Sequence, residues 1–309
     1  MFNLILLLAA LLLLIVSANF ANKYATRLAQ ALRLPKYIVG FIVVAIISIL
    51  PETFIAINSA LAGVPSFGLG TLFGSNVADL TLVFTIIIFT TTRGLKISSQ
   101  ILDNNKWYPS MLALPILVGW DGYYSRTEGV MLIIAGFLFY FWVLRRNPRL
   151  PLSDKKINTH LLADIFFLLV SMATLLWASY LTVEYGVAFA QTIRLNPALI
   201  AMLIVGVGTT LPELSFSLIA VRHKGEGLAL GDILGTVISD ATIAVGIIAI
   251  ISPFYFPQRI IYITAMFMVV AAMLLFTLMR SGKLLTKQEG VFLLLFYIFF
   301  ILTEYLLNG

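Results

Sequence analysis

Long apolar runs, separated by short charged loops, fill almost the whole chain. A helix needs about 20 apolar residues to cross the hydrocarbon core of a bilayer. Ten such segments can be drawn, at 2–22, 37–62, 67–90, 109–120, 129–144, 161–183, 197–220, 228–251, 260–279 and 289–306. The fourth is short and is predicted to start earlier, within 97–108. The first and sixth are the longest, reaching through amphipathic sequence to about Arg33 and Arg194. Met1 to Val16 has the look of a signal-peptide core, with Ser17–Asn19 as a weak cleavage site. It lacks the basic start that signal peptides carry, and the helical pattern runs on through Leu28, Ala29 and Gln30. A retained first helix is the expectation.

Composition agrees with the pattern. The 309 residues are 61% hydrophobic and 11% charged, with mean hydropathy +1.02, where soluble domains carry about 25% charged residues. The chain is membrane-embedded. It has no cysteine, so disulfides, iron–sulfur clusters and thiolate metal sites are excluded. His160 and His223 both lie beside charged loop residues and form no ligand cluster. The net charge of +6 is a statement about loops rather than about nucleic acid, and no nucleic-acid partner is expected. Cytoplasmic loops carry the excess of Lys and Arg. With the first loop inside, that side collects Lys23, Arg27, Arg33, Lys36, Arg93, Lys96, Lys106, Arg145, Arg146, Arg149, Lys155, Lys156, Arg222, Lys224, Arg280, Lys283 and Lys287, which is 17 of the 20 basic residues. Only Arg126, Arg194 and Arg259 face the other way. Both termini are then outside the cell membrane.

Two stretches repeat one another. The first is Ser48-Ile-Leu-Pro51-Glu52, followed by Gly70-Thr-Leu-Phe-Gly74-Ser75-Asn76-Val-Ala-Asp79. The second is Thr209-Thr210-Leu-Pro212-Glu213, followed by Gly231-Asp232-Ile-Leu-Gly235-Thr236-Val-Ile-Ser-Asp240. Pro, Glu, both Gly and Asp recur at one offset of 161 residues, and Glu and Asp stand 27 residues apart in each copy. Five helices per half is an odd number, so the second half enters from the opposite side. The predicted fold is all-α and integral to the membrane, with ten transmembrane helices as two inverted-topology repeats. They are 1–147 and 160–309, joined by a cytoplasmic loop at 148–159, in one transporter domain. Such repeats characterise secondary transporters, which bind substrate near the midplane on interrupted helices.

Pro51 and Pro212 fall inside segments two and seven. Each removes a donor and displaces the carbonyl four residues back, here those of Ile47 and Gly208. At the α-helical rise, Glu52 lies about 15 Å from the helix end near Ala62, and Asp79 about 18 Å from Phe67. Both are near the middle of a core about 30 Å thick. Glu52, Asp79, Glu213 and Asp240 can therefore meet at one level, with hydroxyls of Ser48, Ser75, Thr209, Thr210 and Thr236 nearby. No Lys or Arg lies inside these apolar segments, and intramembrane acids without a partner mark ion or substrate sites. The repeated glycines, spaced Gly-xxx-Gly, are read as close-packing faces. Asp164 and Asp232 sit nearer helix ends and are read as interfacial, Asp232 as a cap.

These residues resemble the α-repeats of the sodium/calcium exchanger and wider calcium/cation antiporter family, whose signature is close to G-T-S-x-P-E followed by G-S-x-x-x-N/D. Gly208-Thr209-Thr210-Leu-Pro212-Glu213 with Gly235-Thr236-Val-Ile-Ser-Asp240 is a near match. Ser48-Ile49-Leu-Pro51-Glu52 with Gly74-Ser75-Asn76-Val-Ala-Asp79 matches more loosely. The resemblance implies exchange of cytosolic Ca²⁺ against Na⁺ by alternating access. Glu52 and Glu213 would bridge the ions and Asp79 and Asp240 flank them. Ser48, Thr209, Thr210, Ser75 and Thr236 would add oxygens, with the carbonyls of Ala45 and Gly206. It also implies that segments one and six slide across the rest. Two departures stand out. Ile49 occupies a position that normally offers a hydroxyl, which predicts a lost or weakened sodium site. Asp79 stands where the first repeat often has Asn. Relatives that require potassium carry Asp at the position of Asp240, which leaves K⁺ open.

The alternative on the same scaffold is a Ca²⁺/H⁺ antiporter, because crowded carboxylates couple their protonation. A channel would also use carboxylate rings, but gives no reason for proline-broken repeats. An intramembrane aspartyl protease using Asp79 and Asp240 would leave both Pro-Glu pairs unexplained. No enzymatic activity, resident cofactor or obligatory protein partner is expected; the partners are the transported cations and the lipid bilayer.

Overall fold

The computed structural model describes residues 2–31, 45–92, 94–97, 108–145, 161–223, 225–282 and 284–308, nearly all of them helical. Among the described residues, seven helices are long and apolar enough to cross a membrane: Phe2–Leu28, Pro65–Thr90, Leu161–Thr192, Pro197–Arg222, Glu226–Ile251, Ile261–Arg280 and Lys287–Asn308. Arg126–Arg145 and the shorter Tyr108–Val118 stand beside them. The predicted second segment enters the described residues at Ala45, as Ala45–Ser48 and Leu50–Leu61. Its first part, the start expected for segment four and the 148–159 connection lie outside the described residues. The first helix continues unbroken past Ser17–Asn19 to Ala31, and its counterpart runs to Thr192.

Burial sorts the helices into layers. In Pro65–Thr90 and Glu226–Ile251, 83% of the most apolar window is buried, against 22% in Leu161–Thr192. The first two form the centre. The outer helices turn Phe166, Leu169, Trp177, Phe292, Leu295 and Phe299 outward, as expected where hydrocarbon rather than water is the solvent. Phe2–Ala31 packs along Leu161–Thr192 as a long pair. Arg27 bridges Asp164 at 3.6 Å near one end of it. The pair meets the centre through smooth contacts, Leu11 on Gly208 and Gly186 on Phe67. The Asn58 amide also donates to Ser179 Oγ at 2.6 Å.

The 161-residue repeat of the sequence returns as a repeat of element boundaries. Leu50–Leu61 corresponds to Leu211–Arg222, Pro65–Ala78 to Glu226–Ser239, and Phe84–Thr90 to Val245–Ile251. Each central helix widens for one turn of π-helix at the same place, Asp79–Val83 and Asp240–Ala244. In each, the threonine at the centre of the turn donates back to a helix carbonyl, Thr81 to Val77 and Thr242 to Ile238. Helix starts are repeated too. Glu128 reaches back to the Ser125 N–H at 2.7 Å, and Glu289 to the Thr286 N–H at 2.7 Å, with each hydroxyl accepting in return from the glutamate N–H. These are capping boxes. Two short antiparallel ribbons complete the pattern, Leu95–Lys96 with Leu284–Leu285 and Tyr123–Tyr124 with Phe254–Tyr255. Each takes one strand from either half.

The two halves approach through glycines, as their spacing predicts. A Cβ on Gly70 would lie 2.6 Å from the Ala198 carbonyl oxygen, and one on Gly74 would strike that of Met202. A Cβ on Gly206 would lie 2.8 Å from the Ser75 nitrogen. These contacts are backbone on backbone, so no rotamer change relieves them. Overpacking such a contact costs about 1–3 kcal/mol. Gly227, by contrast, has open space around it. Gly74→Val is therefore expected to lower the unfolding temperature of the detergent-solubilised protein by several degrees, and Gly227→Ala to leave it where it is. Fluorescence-monitored thermal unfolding reads both.

Candidate cation-binding site

Segments two and seven break where the prolines demand. Helix gives way to a turn at Ile49 (φ −75°, ψ −7°) and at Thr210 (φ −76°, ψ −8°), two residues ahead of each proline. It resumes with Thr53 N–H donating to the Ile49 carbonyl at 2.9 Å and Leu214 N–H to that of Thr210 at 3.0 Å. The helix ends thus meet inside the protein, where interrupted backbone is tolerated in a membrane-spanning fold. Each break packs on the other half. Ala45–Ser48 lies against Glu226–Ser239, and Gly206–Thr209 against Pro65–Ala78. Between them the Asn76 amide donates to the Val237 carbonyl at 3.3 Å. Val237 is the residue that corresponds to Asn76 in the repeat, so two equivalent positions touch.

Around this junction the four predicted carboxylates are all buried: Glu52 and Asp79 at 1% exposure, Glu213 and Asp240 at 0%. Glu213 is near enough to feel the charges of Glu52 and Asp79, and Asp240 those of Glu52 and Asp79. Among the described residues no three acidic side chains close on one point as a finished metal shell would. The oxygens are nonetheless uncommitted. Glu52 Oε2, Asp79 Oδ1, both oxygens of Glu213 and both of Asp240 are buried without a hydrogen-bond partner. A buried polar atom left alone costs about 1–3 kcal/mol, and more if charged. Few arrangements are as unfavourable without a positive ligand.

The predicted hydroxyls divide into two sets. Thr210 donates to the Val207 carbonyl and Ser75 to that of Leu72, at 2.9 and 3.0 Å. Their lone pairs remain available. Thr209 donates to the Gly206 carbonyl at 3.0 Å and lies against the Glu52 carboxyl. Thr236 is buried with its oxygen unpartnered. Ser48 is turned to Asp232, donating to Oδ1 at 3.1 Å. Of the predicted carbonyls, Ala45 is the first described residue of segment two, and Gly206, pressed on Ser75, begins Gly206–Thr209.

Asp232 corrects the sequence reading. It is neither interfacial nor a cap: the helix starts at Glu226 behind Gly225, and Asp232 is 0% exposed. Its Oδ2 has no partner. The missed signal was helical period, because Asp232, Thr236 and Asp240 fall at i, i+4 and i+8 on one face. Asp164 is also buried in the protein, but it has Arg27. A further buried acid, Glu304, accepts from Thr264 at 2.6 Å and from Asn308 at 2.8 Å, so it is satisfied. The π-helical turns were not anticipated either. They open on Asp79 and Asp240 and mark places where a helix is widened, frequently at functional sites.

Comparison with known proteins places the chain in a family. The family model for sodium/calcium exchanger protein matches residues 2–145 and 164–306. The CaxA protein of Alkalimonas amylolytica is 29% identical over 311 residues, 95% of this chain and 96% of that one. The inner membrane protein YrbG of Escherichia coli is 25% identical, covering 80% of this chain and 79% of its own. The sodium/calcium exchanger MaX1 of Methanosarcina acetivorans is 22% identical over 97% of both chains. Among solved structures, the sodium-calcium exchanger NCX_Mj soaked with Na⁺ and Sr²⁺ superposes with a TM-score of 0.70. At 20% identity it covers 97% of this chain and 98% of that one, a likeness of fold. With both repeats matched, the chain belongs to the sodium/calcium exchanger protein family.

Proposed function

We propose that the chain is a secondary antiporter exchanging Ca²⁺ for Na⁺ by alternating access, with both ions bound between the two proline breaks. The observation that carries this is the set of buried, unpartnered carboxylate oxygens on Glu52, Asp79, Glu213 and Asp240, in segments that contain no Lys or Arg. Charge in such a set is favourable only when cations balance it, so crossing between two states with the carboxylates charged and unbalanced is costly. That penalty is the physical basis of coupled exchange: either Ca²⁺ or Na⁺ must be aboard. Ca²⁺ takes six to eight oxygens in flexible geometry. Glu52 and Glu213 supply the central pair. Asp79, Asp240, Ser48, Ser75, Thr209, Thr210, Thr236 and the carbonyls of Ala45 and Gly206 complete the shells. Ile49 offers no oxygen where its counterpart Thr210 has a hydroxyl, which leaves one sodium position poorer.

The reading extends to topology. Ten crossings, as inverted five-helix repeats at 1–147 and 160–309 within one domain, agree with the shared boundaries. They also agree with the two ribbons, one on each side of the membrane, that exchange strands between halves. Both termini then lie outside. The long pair Phe2–Ala31 and Leu161–Thr192, smooth against the centre, is the element suited to slide.

Two experiments test this. In proteoliposomes, ⁴⁵Ca²⁺ uptake is expected under an outward Na⁺ gradient and is expected to disappear in Glu213→Ala. Uptake under an outward H⁺ gradient alone would replace Na⁺ by H⁺ as the coupled ion, and no uptake from a folded protein under either gradient would reject Ca²⁺ exchange. Topology is read by single cysteines in this cysteine-free chain. Tyr255→Cys, at 81% exposure, is expected to react with an impermeant maleimide from outside intact cells. Gln288→Cys is expected to react only after permeabilisation. The reverse order would overturn the orientation.

A further inference from the structure

The repeat makes Ser48 the counterpart of Thr209 and Glu213 the counterpart of Glu52, yet the two halves do not use them alike. Thr209 lies against Glu52, which keeps one unpartnered oxygen. Ser48 turns instead to Asp232 Oδ1 at 3.1 Å, and Glu213 is left with both oxygens unpartnered. The cause is a single residue. Asp232 corresponds to Thr71, whose hydroxyl is spent within its own helix on the Phe67 carbonyl at 3.1 Å. The Asp232 carboxylate is longer and charged, and it takes the Ser48 hydroxyl.

Asp232 also prolongs the line of ion-facing oxygens. Its Oδ2 and Thr236 Oγ1, one turn further along the same helix face, are both buried and both without a partner. Asp240 follows a turn later with two more unpartnered oxygens. In the proposed topology Asp232 lies about 12 Å from Asp240 along the helix, toward the cytoplasmic side, at the level where Ile49 fails to supply a hydroxyl.

We infer that Asp232, with Ser48 and Thr236, forms a further subsite of the transport pathway, a monovalent-cation position on its cytoplasmic side. This rests on the exchanger reading above. The three side chains bring one carboxylate and two hydroxyls, while Asp79 and Glu213, near enough to feel Asp232, belong to the central set. A monovalent ion such as Na⁺ matches the one carboxylate of the subsite, whereas a divalent ion is matched better by the central carboxylates. The hard oxygen set suits Na⁺ and excludes softer metals. The subsite supplies from the second half the oxygen that the first half lacks at Ile49, so the pathway keeps a sodium position there by different means.

The test is ion-dependent thermal stabilisation of the whole protein in detergent, since a ligand bound only by the folded state raises the unfolding temperature. Na⁺ is titrated against choline at constant ionic strength, and Ca²⁺ is titrated separately. Asp232→Asn is expected to raise the Na⁺ concentration for half-maximal stabilisation by about tenfold, and that for Ca²⁺ by less than about threefold. A purely structural Asp232–Ser48 bond predicts no selectivity. Equal shifts for both ions, or no shift in Na⁺, would overturn the subsite. If Asp232→Asn does not fold, Ser48→Ala reads the same position and is expected to show the same selective loss of Na⁺ response. A wild-type protein stabilised by neither ion would overturn the exchanger reading and the subsite with it. Wild type stabilised by both, with no selective shift in the variants, overturns the subsite alone.

Discussion

Acidic side chains buried among apolar helices are the constraint on which the rest of this structure depends. Glu52, Asp79, Glu213, Asp232 and Asp240 are each at 0 or 1% exposure, and all five keep oxygens with no partner. Moving one carboxylate out of water costs several kcal/mol even after relaxation, so five of them oppose folding heavily. What holds them in place is the packing around them: backbone pressed on backbone at Gly70, Gly74 and Gly206, and two central helices buried along most of their length. The proline breaks matter in the same way. They leave helix ends at a depth where only a cavity or a bound ion can satisfy them. Stability elsewhere in the protein is what permits instability at this point.

Much of that was legible in the sequence, because the signals were strong ones. Apolar runs located the helices to within a few residues, and the constant offset between Pro51-Glu52 and Pro212-Glu213 exposed a duplication that recurs as repeated element boundaries. The Gly-xxx-Gly faces were read as packing, and Gly70 and Gly74 do press on Ala198 and Met202. What escaped was information carried by direction rather than by identity. Asp232 was judged by its distance from an apolar boundary, but the helix begins earlier, at Glu226. Asp232 therefore lies well inside the helix, and the helical period puts it on the face of Thr236 and Asp240. The π-helical turns at Asp79–Val83 and Asp240–Ala244 have no compositional mark, since one extra residue per turn alters neither hydropathy nor propensity. Which hydroxyl each carboxylate meets is a question of side-chain geometry that spacing alone does not answer. Ser48, one of the expected ion ligands, meets Asp232, a contact that spacing alone does not show.

Inverted repeats give alternating access a simple rationale: if the halves trade conformations, the site opens to the other side. Perfect duplication would make the two faces energetically alike. This chain departs from it at the site itself. Ile49 faces Thr210 across the repeat, Thr71 faces Asp232, and Ser75 faces Thr236. The surrounding frame, with its capping boxes, threonine back-bonds and ribbons, is far more symmetric. Symmetry is thus kept in the frame and lost among the buried acids and hydroxyls between the breaks. On the proposed reading, a carboxyl group in one half and a hydroxyl at its counterpart bias the two states differently for each ion. A ligand moves an equilibrium only by its difference in affinity between states. The substitutions that break the repeat are for that reason the ones able to set the direction in which exchange runs most easily.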